Sequence, residues 1–282
     1  MNSILQTSIP ALWDRGLRGN GVKIGIIGTG IDRNHPDFRG CSIEAHSLID
    51  DDASDHVPHE TGVVWLLTRI APHANIFLVK DRDSEVGSLT TLIAACQQLL
   101  AAKVDLVNLS MSGEVDYGID PLSREVNYLS AHGILVVAAA GNFGPRPYTI
   151  GTPGIAETAL TVGKVDGRDN VARSSSRGPT LDGSLKPDCV APGREITAAV
   201  PLSFGSRYGV YSCTSFATPH VTGILALLKQ AYPNATADML KQAILKSCDP
   251  ATVPFDIHNH QYSTGAGRVN ASRAWEVLRN VK

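Results

Sequence analysis

The chain has 282 residues, and its 25 lysines and arginines nearly balance its 27 aspartates and glutamates, which leaves a net charge of −2. Hydrophobic residues make up 43% and charged residues 18% of the sequence, a composition typical of a folded globular protein and not of a disordered one. Near-neutrality argues against a nucleic-acid surface built on bulk positive charge, and no apolar run approaches the roughly 20 residues that a membrane span needs.

Alternating strand and helix patterns run along the chain. Short apolar runs rich in β-branched residues predict buried strands at 22–27, 74–79, 104–109 and 134–139. Apolar residues spaced three and four apart predict helices at 89–102, 121–132, 219–232 and 236–247. Strands that alternate with helices favour a parallel sheet with right-handed crossovers. Because no linker or repeat divides the chain, we expect one α/β domain over residues 1–282.

The N-terminus and the cysteines bear on the compartment. Residues 1–20 lack a basic start followed by an apolar core, so we expect a short N-terminal extension with no visible signal peptide or propeptide. The five cysteines are scattered, and no CxxC pair suggests a zinc site or a disulfide framework. Reduced thiols favour a cytoplasmic protein, although a chain processed from a secreted precursor would look similar.

Four motifs carry residues suited to acyl-transfer chemistry. They place Gly28 after the first predicted strand, His59 before an apolar helix, Asn142 after the fourth predicted strand and Ser215 at the start of a buried helix. Ligands of parallel sheets bind outside the carboxyl ends of the strands, where Gly28 and Asn142 lie. A serine becomes a good nucleophile when a nearby base takes its proton, and an asparagine amide can stabilise the oxyanion that forms.

These motifs resemble those of the subtilisin-like serine peptidases. The nucleophile motif is similar to the segment Ser215-Phe216-Ala217-Thr218-Pro219-His220, and the oxyanion motif to Ala139-Ala140-Gly141-Asn142. The resemblance covers about residues 24–277. It implies a three-layer α/β fold with a mostly parallel central sheet, and serine endopeptidase activity without a cofactor. We also expect no metal, because only five residues (65–69) stand where many subtilases carry a calcium-binding insertion.

The resemblance also implies a substrate cleft for a peptide or protein. An extended peptide should add as a strand between two segments, Ser110-Met111-Ser112-Gly113 and Ala139-Ala140-Gly141. The Thr152-Pro153 pair resembles a pocket turn in which the family can carry a cis proline. We expect neither a nucleic acid nor a membrane as partner, and the sequence does not indicate an oligomeric state.

Position 28 departs from the family, which carries there the aspartate that orients the catalytic histidine. With Gly28, the resemblance leaves a Ser–His pair and an empty acid position, so that an active enzyme would take its acid from a substrate, a partner or a loop carboxylate. The loop candidates are Asp52, Asp55 and Asp81. Glu60 is not expected to do so, because adjacent residues on a helix point to different sides. Replacing Gly28 by aspartate should raise the rate if the pocket is otherwise preserved.

Two registers are open for the histidine. His59-Glu60-Thr61-Gly62-Val63 resembles the family's His-Gly-Thr-x-Val motif, whereas a shift of three residues would make His56 the base. We favour His59, because Thr61 and Val63 then match and Pro58 stands just before the helix.

Cys213 is a further departure, because the family usually has glycine two residues before the serine. A side chain there can narrow the cleft and places a thiol near the site, although a small buried apolar residue is the simpler interpretation. The sequence therefore supports two hypotheses. One is a serine endopeptidase with an atypical triad, including a specialised peptide-processing enzyme. The other is an impaired pseudopeptidase that binds peptides or a protein partner.

Overall fold

A seven-stranded sheet organises the computed structural model, which describes residues 2–84, 87–115, 120–254 and 260–280. Its strands are β1 (Lys23–Gly28), β2 (Ser42–Ser47), β3 (Asn75–Lys80), β4 (Leu106–Leu109), β5 (Leu135–Ala139), β6 (Leu160–Val165) and β7 (Cys189–Pro192). The spatial order is β2-β3-β1-β4-β5-β6-β7, and every neighbouring pair is parallel. Strands β8 (Ile196–Ala199) and β9 (Tyr208–Tyr211) form a separate antiparallel ribbon.

Helices cover both faces of the sheet. They are α1 (Asn2–Gln6), α2 (Pro10–Trp13), α3 (Glu60–Ile70), α4 (Leu89–Ala101), α5 (Pro121–Ala131), α6 (Thr214–Ala231), α7 (Ala237–Leu245), α8 (Gln261–Thr264) and α9 (Ala271–Arg279). Helices α4 and α5 pack on one face, and α6 packs on the other with α3 and α7 beside it. Each face has its own apolar core. The expected three-layer α/β fold is therefore confirmed, whereas a single domain over the whole chain stays a prediction.

The four predicted strands correspond to β1, β3, β4 and β5, but the sequence patterns missed the others. Strand β2 lies at an edge and is half exposed, so it lacks a continuous apolar run. In β6, Gly163 and Lys164 interrupt the apolar run although every residue of the strand is buried.

Helix α6 begins at Thr214, five residues before the predicted start at 219, so that prediction was wrong. Pro219 lies inside the helix, where its missing N–H leaves the carbonyl of Ser215 without its usual donor. Ser110 Oγ donates to that carbonyl over 2.8 Å, which satisfies it from the neighbouring strand end.

The order of the strands opens a cleft at the carboxyl edge. After β1 the chain runs to β2 and β3 on one side and then crosses to β4 on the other side. Such a change of direction leaves a crevice at the strand ends. Gly28 ends β1, Ser110 follows β4 and Asn142 stands three residues after β5, so all three lie at this edge.

Two glycines let α3 and α6 approach closely. A Cβ on Gly62 would lie 2.9 Å from the ring of Phe216, and a Cβ on Gly223 would lie 2.5 Å from Cγ2 of Ile70. Because α6 passes through the centre of one core, this close contact fixes the position of the helix that carries Ser215.

We expect Gly223→Ala to lower the free energy of unfolding by about 1–3 kcal/mol, because overpacking outweighs the better helix propensity of alanine. Urea unfolding followed by circular dichroism measures the change. Gly167→Ala is the matched control, since its Cβ would meet nothing within 4 Å. Equal stability of the two variants would contradict the close-packing argument.

Candidate active site

Ser215 is the second residue of α6, and it is 7% exposed at the cleft. Cys213 precedes the helix in an extended conformation and makes no side-chain capping bond. Instead, Asn142 Oδ1 accepts a hydrogen bond from the backbone N–H of Thr214 over 3.0 Å. The start of the helix is thus joined to the end of β5, and the positive end of the helix dipole faces the cleft.

His59 and Glu60 form an ion pair at the start of α3. His59 Nδ1 lies 2.9 Å from Glu60 Oε2, and the Glu60 side chain is fully buried. An ideal Cβ on Gly28 would lie 2.4 Å from Cδ and Oε2 of Glu60. The Glu60 carboxyl group therefore occupies the space that a side chain at position 28 would need.

This pair corrects the expectation that Glu60 cannot reach the histidine. His59 is the N-cap residue of α3, with φ −125° and ψ −64°, and is not part of the helix. The rule that adjacent helical residues diverge applies only when both have helical dihedrals. The ring can therefore turn back onto the first residue of the helix.

The three loop carboxylates suggested by the sequence form contacts with groups other than His59. Asp55 accepts hydrogen bonds from Thr29 Oγ1 and from Thr61 N and Oγ1, over 2.7 to 2.9 Å. Asp81 pairs with Arg82, and Asp52 lies at the surface near His56. Burial raises the pKa of both Asp55 and Asp81, and the charge of Glu60 adds to the shift.

The thiol of Cys213 lies close enough to both His59 and Ser215 for each of them to lower its pKa. Burial alone would lower the pKa of His59, but the charge of Glu60 and the bonds to Cys213 and Glu60 raise it to about 10. Burial alone would raise the pKa of Cys213, but His59, Ser215 and the charge of Lys164 lower it. The sequence placed a thiol near the site, but gave no sign that it contacts the histidine.

The alternative histidine lies away from this group. The His56 side chain is 55% exposed, and its Nδ1 lies 3.2 Å from Asp83 Oδ1. His59, in contrast, is paired with the fully buried carboxyl group of Glu60.

The side-chain carbonyl oxygen of Asn142, Oδ1, accepts two hydrogen bonds that hold the carboxamide in place. Besides the Thr214 N–H, Oδ1 accepts a hydrogen bond from Lys164 Nζ over 2.5 Å. The lysine side chain is almost fully buried, and burial lowers its pKa to about 8. Sequence patterns did not single out Lys164, because a lysine in a strand is ordinarily solvated.

The two segments expected to bind the substrate differ in how many of their backbone N–H and C=O groups are already hydrogen-bonded. Ser110 Oγ is committed to the carbonyl of Ser215, and Gly113 exchanges backbone hydrogen bonds of 2.8 and 3.1 Å with Thr152. Within the described ranges, the backbones of Met111 and Ser112 make no hydrogen bond.

The segment Ala139-Ala140-Gly141 is a wall of the cleft in which backbone groups are already paired. Ala140 bonds with Val162 and Gly151, and Gly141 bonds with Thr214 and Ser176. The Thr152–Pro153 peptide bond nearby is cis, as the resemblance led us to expect.

A cavity of about 690 Å³ opens beside Gly113 and Gly151. Phe143 and Tyr148 line it and are about half exposed, at 46% and 59%. In the part of the chain that the structure describes, no group of three or more acidic, histidine or cysteine side chains could hold a metal ion. No helix among the described residues has the length and apolar character to cross a bilayer.

The parallel sheet thus carries a serine at the start of the buried helix α6, a histidine at the start of α3, which packs against α6, and an asparagine after a strand end, an arrangement that fits an α/β serine peptidase. The sequence profile of the subtilase family (Peptidase_S8) matches residues 19–267. The chain therefore belongs to the subtilase family and is a subtilisin-like serine peptidase by descent.

Individual relatives agree with this family. The chain is 32% identical to subtilisin-like protease SBT6.1 of Arabidopsis thaliana over 95% of its length, but spans only 27% of that protein. It is 31% identical to an intracellular serine protease of Paenibacillus polymyxa, covering 87% of this chain and 78% of the relative. The structure of the prenylagaramide maturation protease PagA superposes with a TM-score of 0.81 at 25% identity, covering 96% of this chain and 98% of PagA.

We expect Cys213 to react with iodoacetamide before the other cysteines, because its thiol pKa is lowered. Burial raises the pKa of the other four, to about 12 for Cys96 and Cys248. Brief alkylation followed by peptide mass spectrometry gives the order of labelling. Faster labelling of the half-buried Cys41 would contradict the contact of Cys213 with His59.

Proposed function

We propose that the protein is a serine endopeptidase in which Glu60 replaces the triad acid that is missing at position 28. Ser215 is the nucleophile, His59 the general base and Asn142 the oxyanion donor, while Gly28 is the vacated acid position. The observation that carries the proposal is the 2.9 Å contact between Glu60 Oε2 and His59 Nδ1.

The chemistry follows from these positions. His59 Nε2 takes the proton of Ser215 as Oγ attacks the scissile carbonyl, and the Asn142 amide donates to the oxyanion. Glu60 holds the proton on Nδ1, which directs Nε2 toward the serine, and its charge stabilises the imidazolium that forms. His59 then protonates the departing amine, and water hydrolyses the acyl-enzyme.

The substrate is an extended peptide that adds to the free backbone of Met111 and Ser112. Their unpaired N–H and C=O groups support this choice, whereas Gly113 is already paired with Thr152. The cavity beside Gly113 receives a side chain of the substrate, and Phe143 and Tyr148 favour an apolar one.

Slow and selective cleavage is part of the proposal. With a pKa of about 10 for His59, only about one imidazole in 10³ is neutral at pH 7. Such an enzyme suits the processing of one peptide better than general proteolysis, and the similarity to a maturation protease supports this. The same charged histidine also supports the second candidate, a pseudopeptidase that binds peptides without cutting them.

A cytoplasmic location stays a prediction from the sequence. The five cysteines, none of which forms a disulfide, support it. The expectation of a peptide or protein substrate follows from the family, whereas the absence of a nucleic-acid or membrane partner stays a prediction.

We expect a fluorophosphonate probe to label Ser215, with a rate that rises from pH 7 toward pH 10 as His59 loses its proton. At pH 10, where about half of the His59 rings are already neutral in the wild type, Glu60→Gln should lower kcat on dye-quenched casein by about 10⁴-fold, the magnitude known for loss of the acid in such a triad. It should also move the rise to lower pH, because the carboxylate no longer raises the pKa of the ring. Ser215→Ala, which lacks the hydroxyl group, is the negative control for both labelling and cleavage.

Asp81→Asn is the matched control, because it removes a buried carboxylate that pairs with Arg82 and not with His59. It should change kcat by no more than a few-fold. If labelling at pH 10 is equally fast in Glu60→Gln and in the wild type, Glu60 does not act as the triad acid. No labelling at any pH, with peptides still bound by Ser215→Ala, would establish the pseudopeptidase.

Exchanging positions 28 and 60 tests the relocation of the acid. Gly28→Asp alone should lower both stability and activity, because its Cβ would lie 2.4 Å from the Glu60 carboxyl group. This replaces the expectation from the sequence that Gly28→Asp raises the rate, since the pocket is filled. Gly28→Asp combined with Glu60→Gly should have a kcat at least about 10²-fold above either single variant. Additive losses in the double variant would contradict the exchange.

A further inference from the structure

Lys164 is a buried cation that the proposed mechanism does not use. It lies in β6, where every residue is buried, and it is 1% exposed. Moving an ammonium group out of water is costly unless other groups compensate it. A lysine in this position therefore needs a specific set of contacts.

The contacts of Lys164 are to neutral oxygens. Nζ donates to Asn142 Oδ1 over 2.5 Å and to the backbone carbonyl of Ser212 over 3.3 Å. No carboxylate in the described part of the chain forms an ion pair with it. Its positive charge is therefore directed at the amide of Asn142 and is not neutralised there.

These contacts determine which way the Asn142 carboxamide faces. Its two bonded partners, Lys164 Nζ and Thr214 N–H, are both donors, and only the oxygen of a carboxamide accepts hydrogen bonds. With Oδ1 held by both, the NH₂ branch must point the other way. The Thr214 N–H belongs to the start of α6, so Asn142 lies beside the turn of the helix that carries Ser215.

We propose that Lys164 is a positioning residue for the oxyanion site, which holds the Asn142 amide toward the cleft and adds a positive charge behind it. The inference rests on the proposed function, because it concerns the same oxyanion. The charge draws electron density toward Oδ1 and makes the N–H groups of Asn142 stronger donors. It acts most strongly when negative charge develops on the substrate oxygen, in a region of low dielectric.

Few other titratable groups face Lys164. The thiol of Cys213 interacts with its charge, and Arg173 and Arg194 line the same cavity of about 400 Å³. Arg194 also faces the exposed Glu195 at 3.7 Å and the carboxylate of Asp166. Because Cys213 also titrates and its charge acts on the pKa of both Lys164 and His59, the test is made with Cys213→Ala present in every protein compared.

The experiment compares Lys164 with Lys164→Met, which removes the donor and the charge, and with Lys164→Gln, which keeps a donor without the charge. At pH 7 we expect kcat to fall about 10–100-fold for Lys164→Met with KM nearly unchanged, less than the 10²–10³-fold cost of losing an oxyanion donor. The Gln variant should fall in between.

The pH profile separates the charge from a merely structural role. The titration of His59 is shared by all these proteins, so it cancels in the ratio of kcat between Lys164 and Lys164→Gln. Since the charged form of Lys164 is the effective one, and burial lowers the pKa of its ammonium group, this ratio should decrease as the pH rises through that lowered pKa. A ratio that is constant from pH 6 to 10 would overturn the role of the charge.

A second readout does not depend on catalysis. In ¹H–¹⁵N spectra, the side-chain NH₂ signals of Asn142 should shift as the pH rises through the lowered pKa of Lys164 in the protein with Lys164, and not in Lys164→Gln. If these signals do not respond, the contact itself is refuted. If they respond but Ser215 is never labelled, the contact is real and the proposed function fails, and the catalytic role of Lys164 fails with it.

Lys186→Met is the matched control for loss of a buried lysine. Lys186 Nζ bonds to the carbonyl of Ala159 and to Asp188, and not to Asn142. We expect a lower melting temperature with kcat changed no more than a few-fold. If Lys186→Met lost as much kcat as Lys164→Met, the loss would be explained by general destabilisation, and the proposal would be overturned.

Discussion

The contact between Glu60 and His59 is the constraint on which the geometry of the site depends. It requires a buried carboxyl group beside the ring, and that group fits only because residue 28 has no side chain. It also requires His59 to stand outside the helix, since otherwise its ring would turn away from its neighbour. Gly28, the N-cap dihedrals and Glu60 are thus three parts of one arrangement, in which a carboxyl group from the first residue of a helix lies beside the histidine ring.

Charges of opposite sign lie behind the two groups that would flank Ser215. Glu60 lies behind His59, with Asp55 and Asp81 close enough for their pKa values to respond to it. Lys164 lies behind Asn142. Attack by a serine creates an imidazolium and an oxyanion together, so a negative field behind the ring and a positive one behind the amide favour the same charge-separated state. Both fields act through low-dielectric surroundings, where they are stronger than at the surface.

The sequence predicted those parts of the fold that follow from simple periodicity. Strands β1 and β3 are short apolar runs with β-branched residues and no charged residue in their interior. Motif order was enough to locate Ser215 and Asn142. Lys164 escaped because a lysine within a strand ordinarily indicates an exposed position, and only the tertiary contact with Asn142 shows why it is buried. Glu60 was excluded by a helical rule that does not apply to an N-cap residue, whose dihedrals the sequence does not reveal.

Ser110 shows why a motif residue cannot be assigned to substrate from resemblance alone. Its hydroxyl group accepts from Asn108 and donates to the carbonyl of Ser215, which Pro219 leaves without a helical donor. A proline in the second turn would ordinarily bend or destabilise a helix. Here the strand end replaces the missing bond, and this ties the backbone of Ser215 to β4. The same bond therefore satisfies the helix carbonyl and fixes the position of Ser215 relative to the sheet.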